Sequence, residues 1–126
     1  MSRETFASPN APAAIGPYSQ GVKTIHGLVF LSGQTPIDPA TGELVAGGIT
    51  EQTQQVFKNI AAVLEAAGKT FDDVAKCNVY LADMADFADM NAVYGSIFTA
   101  PFPARTTVAV RELPKKCLVE IECTVQ

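Results

Sequence analysis

Two charged residues near the end of the chain, Arg105 and Glu120, have the chemistry to bind a small anion and to activate water. A guanidinium group binds a planar carboxylate through paired hydrogen bonds, and a carboxylate can orient a water or transfer a proton. They stand in β-rich runs separated by a polar turn with Pro114, which predicts a β-hairpin. Thr107 would then lie opposite Glu120 or its neighbour, with Arg105 on the adjacent diagonal. The alternative to a binding site is an ordinary cross-strand ion pair, worth about 0.2–1 kcal/mol.

Other catalytic chemistries have few candidates in this sequence. The one histidine, His26, stands in a predicted His-Gly turn, so a serine or cysteine nucleophile has no imidazole base. A zinc site is not expected for the same reason. Gly47-Gly48 lacks the lysine of a phosphate-binding loop. Glu120 and Glu122 share a strand face, but nothing marks the groove that a glycosidase needs. A site for a small anionic substrate is what remains.

Composition narrows the class of protein. The chain has 126 residues, a formal net charge of −4 and 48% hydrophobic residues, so a single domain over residues 1–126 is expected. The negative balance argues against nucleic-acid binding. No apolar run has the length of a membrane span, and the first residues lack the pattern of a signal peptide. Three cysteines without CxxC spacing are interpreted as buried residues of a cytoplasmic protein: Cys77, Cys117 and Cys123.

Hydrophobic periodicity predicts the elements that must position the candidate residues. They are strands 22–25 and 28–31 around a His-Gly turn, a helix from 50 that Gly68 ends, strand 74–81, a helix over 87–98, and the final hairpin. This order predicts an α+β domain with two helices on one face of a mixed sheet.

The final strands are predicted to have one face toward the core and one away from it. The predicted core face consists of Thr106, Val108, Val110, Cys117, Val119, Ile121 and Cys123. The predicted outer face consists of Arg105, Thr107, Ala109, Leu118, Glu120 and Glu122. Strand 28–33 is apolar on both sides, so its second face also needs cover. No further helix is available, and another subunit is therefore expected to cover it.

Several segments along the chain match one family in that family's own order. They are 10–21 (NAPAAIGPYSQG), 31–36 (LSGQTP), Asn59, 64–68 (LEAAG), 79–84 (VYLADM), 87–94 (FADMNAVY), 103–105 (PAR), Leu113-Pro114 and 119–122 (VEIE). The sequence resembles the Rid family of reactive intermediate deaminases, formerly called YjgF-type or L-PSP-type proteins. The resemblance implies a chorismate-mutase-like (ferredoxin-like) α+β fold assembled as a homotrimer, with sites in clefts between subunits.

The resemblance also implies a reaction and roles for residues. The reaction is hydrolysis of enamines and imines, such as 2-aminoacrylate and 2-aminocrotonate (2-iminobutyrate), to 2-oxo acids and ammonia. Pyridoxal-phosphate enzymes release these intermediates, whereas the Rid protein needs no cofactor. Arg105 matches the residue that clamps the substrate carboxylate, and Glu120 the residue that contacts the substrate region and can orient water. The positions matching the pocket lining are Tyr18, Gly33 through its backbone N–H, and Asn91.

Thr107 departs from the pattern, since many bacterial members have a cysteine two residues after the family arginine. The substitution removes a thiol from this position but leaves the backbone able to contact substrate. Two of the pocket positions also have structural interpretations: Tyr18 as a core aromatic residue and Gly33 as a strand-end bulge.

Two other functions compete with deamination. The same arginine would suit a non-catalytic regulatory trimer that binds a 2-oxo acid or an amino acid. The older family label, ribonuclease and translation inhibitor, is disfavoured by the acidic balance and by the lack of a catalytic histidine.

Overall fold

The computed structural model describes residues 3–126, in which a six-stranded sheet carries two α-helices. The strands are β1 (Glu4–Phe6), β2 (Gly21–Lys23), β3 (Val29–Gln34), β4 (Val74–Leu81), β5 (Ala104–Ala109) and β6 (Val119–Val125), and the helices are α1 (Ile49–Ala66) and α2 (Phe87–Ile97). The strand order is β1-β2-β3-β6-β4-β5. Only β4 and β5 run parallel among these neighbours, so the sheet is mixed, as predicted.

Helix α1 follows from its apolar stripe and its end signals. The Gly48 N–H donates to the Glu51 carboxylate at 2.8 Å, which satisfies a donor at the start of the helix. Gly68 follows the helix with φ of 72°, a left-handed conformation that favours glycine. The buried apolar residues of this helix are Ile49, Val56, Phe57, Ile60, Val63 and Leu64. No helix within residues 3–126 is long and apolar enough to cross a membrane.

The last two strands do not form the predicted hairpin. β4 lies between them, with Cys77 paired to Cys123 of β6 on one side and to Arg105 of β5 on the other. Helix α2 separates β4 from β5 in the sequence, and a helical crossover of this kind joins parallel strands. The prediction that Arg105 and Glu120 flank one patch of a two-stranded hairpin is therefore wrong.

The predicted faces of β5 are wrong for the same reason. Arg105 and Thr107 pair with Cys77 and Val79, which are buried beneath the helices. Arg105 and Thr107 consequently lie on the helix side, because paired residues share a face. Thr106 and Val108 lie on the opposite, open side, where Val108 is 43% exposed.

The predicted faces of β6 are confirmed. Its residues Val119, Ile121 and Cys123 are buried on the helix side, and Glu120 and Glu122 occupy the open side. The open side also carries Phe30 of β3, which is 44% exposed and pairs with Thr124. Within residues 3–126, the open side of the sheet therefore leaves apolar side chains exposed to solvent. Exposed apolar surface of this kind is the reason that another subunit is expected to cover this side.

Candidate functional site

Helix α2 builds a platform for the Arg105 guanidinium. Phe87, Asn91 and Tyr94 follow one another at helical spacing and project toward the same edge of the sheet. Arg105 Nη1 donates to Asn91 Oδ1 at 2.6 Å. The guanidinium carbon lies 4.6 Å from the centroid of the Tyr94 ring and 5.5 Å from that of Phe87. These distances are typical of a cation held over aromatic faces, so the arginine side chain is oriented before any ligand binds.

The partner of Arg105 in this hydrogen bond is a neutral amide. A carboxylate in the same place would neutralise the guanidinium charge, whereas the Asn91 amide leaves it available. The bond engages one of the five N–H donors of the arginine. An incoming carboxylate can take two of the others as a fork.

A cavity opens beside this arginine. Its volume is about 450 Å³, and its lining comprises Asn91, Tyr94, Gly95, Phe102, Pro103 and Arg105. Phe102 is 62% exposed and forms an apolar wall of the cavity. The volume lies in the range of small-molecule sites, and the combination of one charge with apolar walls suits a small organic anion.

Glu120 lies on the other side of the sheet, against Gly33. The pairing of β3 with β6 shifts between Leu31 and Gln34, so Gly33 stands in a β-bulge, as one interpretation of the sequence predicts. A Cβ atom at Gly33 would overlap the Glu120 carboxylate, so this glycine provides the space in which the carboxylate rests. Burial, assisted by repulsion from Glu122, raises the pKa of the Glu120 carboxyl above its ordinary value.

Glu122 is held by its neighbours on β4. Asn78 Nδ2 donates to Glu122 Oε1 at 3.1 Å, and the Tyr80 hydroxyl donates to the same oxygen. The hydrogen bond to Glu122, together with partial burial, raises the pKa of Tyr80 to about 12. Glu122 thus accepts its hydrogen bonds from its own chain. Its negative charge lies two residues from Glu120 on the same face of β6 and repels the Glu120 carboxylate.

Tyr18 belongs to the loop beside this carboxylate. The backbone carbonyl groups of Ser19 and Gln20 accept hydrogen bonds from Ser32, at 2.6 Å from its hydroxyl and 3.0 Å from its N–H. These bonds place the Tyr18 loop next to Gly33. The Tyr18 side chain is 52% exposed, so its interpretation as a core aromatic residue is wrong.

The predicted site residues therefore form two groups. Arg105, Asn91 and Thr107 lie on the helix side of the sheet edge, where the Thr107 hydroxyl oxygen is buried without a hydrogen-bond partner in residues 3–126. Gly33 and Glu120 lie together on the open side, and Tyr18 belongs to the loop whose backbone is hydrogen-bonded to Ser32, the neighbour of Gly33. One chain does not bring the two groups into contact across its own sheet, because the sheet itself separates them.

Sequence reasoning missed the residues that hold the arginine. Tyr94 and Phe87 form its aromatic platform, and Gly95 and Phe102 line its cavity. The helical spacing of Phe87, Asn91 and Tyr94 is the signal that places the two aromatic rings on the same side of α2 as Asn91. Within residues 3–126, no group of three or more metal-ligating side chains is arranged to hold a metal ion.

Comparison with known proteins identifies the family. The family model described as Endoribonuclease L-PSP matches residues 8–126. The chain belongs to this family, which includes the YjgF, RutC and Rid proteins. A RutC family protein of Pyrococcus horikoshii is 53% identical over 120 residues, covering 95% of this chain and 94% of the relative. The resemblance to the Rid family is thereby confirmed.

Two further members connect the family to a structure and to an activity. A Rid family protein of Yersinia pestis has a solved structure that superposes with a TM-score of 0.94, at 44% identity, over 98% of each chain. The mouse protein named 2-iminobutanoate/2-iminopropanoate deaminase is 44% identical over 120 residues, covering 95% of this chain and 88% of the mouse protein. The α+β fold with one sheet and two helices is thus shared with Rid proteins, and some members of the family carry the name of a deaminase.

Proposed function

We propose that this protein hydrolyses reactive enamines and imines of small 2-amino acids to 2-oxo acids and ammonia, with 2-aminoacrylate and 2-aminocrotonate (2-iminobutyrate) as substrates. The observation that carries the proposal is Arg105, an arginine oriented by a neutral amide and an aromatic ring at the wall of a cavity of about 450 Å³. Such an arginine is suited to bind the carboxylate, which is the charged group that all these substrates share.

The carboxylate clamp would fix the substrate in one orientation. Two N–H groups of Arg105 would bind the two carboxylate oxygens, which leaves the imine carbon pointing away from the guanidinium. The flat apolar surface of Phe102 would contact the short side chain of the substrate. Thr107, two residues along the same strand, would contribute its backbone to this wall rather than a reactive side chain.

The second half of the site would come from another subunit of a homotrimer. Glu120 and Gly33 lie on the face opposite Arg105, and that face exposes Phe30 and Val108. The loop that carries Tyr18 is hydrogen-bonded to Ser32, next to Gly33. Burial of this apolar surface would drive assembly. In a ring of three chains, the edge strand β5 of one subunit can meet the open face of the next, so that each cleft combines Arg105 of one chain with Glu120 of its neighbour.

Glu120 would then orient the attacking water and transfer protons during hydrolysis. A carboxyl group whose pKa is raised by burial can accept a proton from an attacking water and return it to the leaving nitrogen. Imines already hydrolyse in water, so the barrier reduction required is modest, with each tenfold in rate corresponding to about 1.4 kcal/mol. Positioning and charge stabilisation can supply this reduction without a cofactor. Pyridoxal-phosphate enzymes that release enamines would supply the substrates in the cytoplasm.

The test is turnover of freshly generated imine. An amino acid oxidase produces the imine, semicarbazide competes for it, and the protein should divert it to the 2-oxo acid, which reacts with semicarbazide more slowly. The initial rate of semicarbazone formation should therefore fall. Binding of a 2-oxo acid without any change in that rate would favour the regulatory trimer instead. Cleavage of RNA by nuclease-free protein, abolished by substitution of Arg105, would favour the ribonuclease interpretation.

A further inference from the structure

Two of the three cysteines face each other across adjacent strands. Cys77 of β4 and Cys123 of β6 are direct register partners in an antiparallel pair, and both side chains point to the helix side. Their sulfur atoms are 3.6 Å apart. Directly paired residues in antiparallel strands have Cα atoms about 4.5–5.5 Å apart, which lies within the range that a disulfide spans.

We propose that Cys77 and Cys123 form a redox-active dithiol, a modification site that a hydroperoxide converts to an intramolecular disulfide. The Cys77 thiolate attacks one peroxide oxygen, the O–O bond breaks, and Cys77 becomes a sulfenic acid while the second oxygen leaves as hydroxide and takes up a proton. The Cys123 sulfur then displaces the sulfenic oxygen as water, and the S–S bond forms. The two thiols lose two electrons and two protons, and one hydrogen peroxide molecule becomes two waters.

The surroundings distinguish the roles of the two sulfurs. The hydrogen bond with Cys123 lowers the pKa of the Cys77 thiol against the effect of burial, and the positive charge of Arg105 acts in the same direction. The same hydrogen bond and burial raise the pKa of Cys123. Cys77 also pairs directly with Arg105 on the edge strand β5, whereas Cys123 lies on β6, one strand farther from that edge. Cys77 is therefore the sulfur that attacks, and Cys123 is the resolving thiol beside it.

Access to Cys77 comes through the edge of the sheet. Its register partner Arg105 belongs to β5, the edge strand, which pairs with β4 alone and carries mostly exposed residues. Both sulfurs are buried, at 0% and 3% exposure of their residues. Local opening of this edge, including its contact with a neighbouring subunit in the proposed trimer, must therefore precede oxidation. We therefore expect oxidation to be slower than that of an exposed thiol and to depend on the stability of β5.

Cys117 provides the matched control. It is also buried, but its sulfur donates to the Val119 carbonyl at 3.4 Å rather than to another thiol. Burial raises its pKa, so it should neither react first nor resolve a sulfenic acid.

The experiment treats the reduced, folded protein with hydrogen peroxide, quenches in acid, and alkylates free thiols under denaturing conditions. Mass spectrometry should show one alkylated cysteine, Cys117, and a peptide pair joined through Cys77 and Cys123 that dithiothreitol separates. Cys117→Ser should form the same cross-link to the same extent, and Cys123→Ala should form none. Three alkylated thiols after prolonged exposure, sulfinic acid at Cys77 in the parent protein, or a cross-link that requires Cys117 would overturn the proposal.

Discussion

Replacement of Arg105 by alanine should abolish deamination while the protein stays folded. Two charge-assisted hydrogen bonds to a substrate carboxylate, at about 1.5–3 kcal/mol each, would be lost. The sum of about 3–6 kcal/mol corresponds to a loss of about 10²–10⁴-fold in kcat/KM. The cost in stability should be much smaller, about 1–2 kcal/mol, because the exposed side chain contributes one hydrogen bond to Asn91 and contacts with two aromatic rings.

Lysine at this position should rescue poorly. It restores the positive charge but not the planar fork, so the substrate carboxylate would lose its second hydrogen bond and its fixed orientation. Arg111→Ala is the matched control, since Arg111 is exposed in the connection between β5 and β6 and lies outside the cavity. The assay is imine turnover with semicarbazide competition, together with unfolding in denaturant. If the Arg105→Ala protein retained kcat/KM within about threefold of the parent, which is a change under about 0.7 kcal/mol, the proposed clamp would be refuted.

Three further substitutions test other parts of the structure. Gly33→Ala should displace the Glu120 carboxylate and lower kcat/KM by about 10–100-fold. The loss of stability should be small, since the end of the flexible Glu120 side chain can move. Unchanged kinetics would exclude a role for that carboxylate position. Gly95→Ala should raise the free energy of unfolding by about 1 kcal/mol, because a Cβ there meets no atom and alanine is the better helix former; a destabilised variant in urea unfolding would contradict this. The pKa of Glu120 is raised in the folded state, so the folded chain binds more protons than the unfolded chain, and the free energy of unfolding should fall as pH rises from about 4.5 through the folded pKa. Glu120→Gln should flatten this slope. An unchanged slope in unfolding curves at several pH values would show that other groups cause it.

The sequence predicts those elements whose signals are local. The apolar stripe and Gly68 place α1 within a residue or two of its observed ends, and the alternation of residues 74–81 coincides with β4. The short strand β1 was not predicted, because three residues are too few for a periodic pattern. Apolar periodicity and helix-capping residues are signals that a short stretch of sequence contains in full, so they can be identified without knowledge of the rest of the fold.

Strand pairing depends on the whole chain, and here the predictions failed. The polar turn at Pro114 resembles a hairpin turn, but β4 takes the place between β5 and β6 once α2 packs on the sheet. The insertion of β4 between β5 and β6 also places Arg105 on the helix side of the sheet and separates it from Glu120. The residues proposed for the site were identified through the family motifs, and the aromatic platform under Arg105 became visible only when α2 and β5 were placed together.

The most direct test of the central claim is complementation between two inactive variants. Arg105→Ala and Glu120→Ala chains, carrying different tags, are co-expressed, and mixed trimers are isolated through both tags. If each site combines Arg105 of one subunit with Glu120 of the next, every trimer that contains both variants has about one third of its sites with both residues intact. We therefore predict that the isolated mixed trimers turn over imine at about one third of the parental rate, as a statistical estimate from that symmetry. Mixed trimers no more active than the separate variants would contradict a deaminase site shared between subunits.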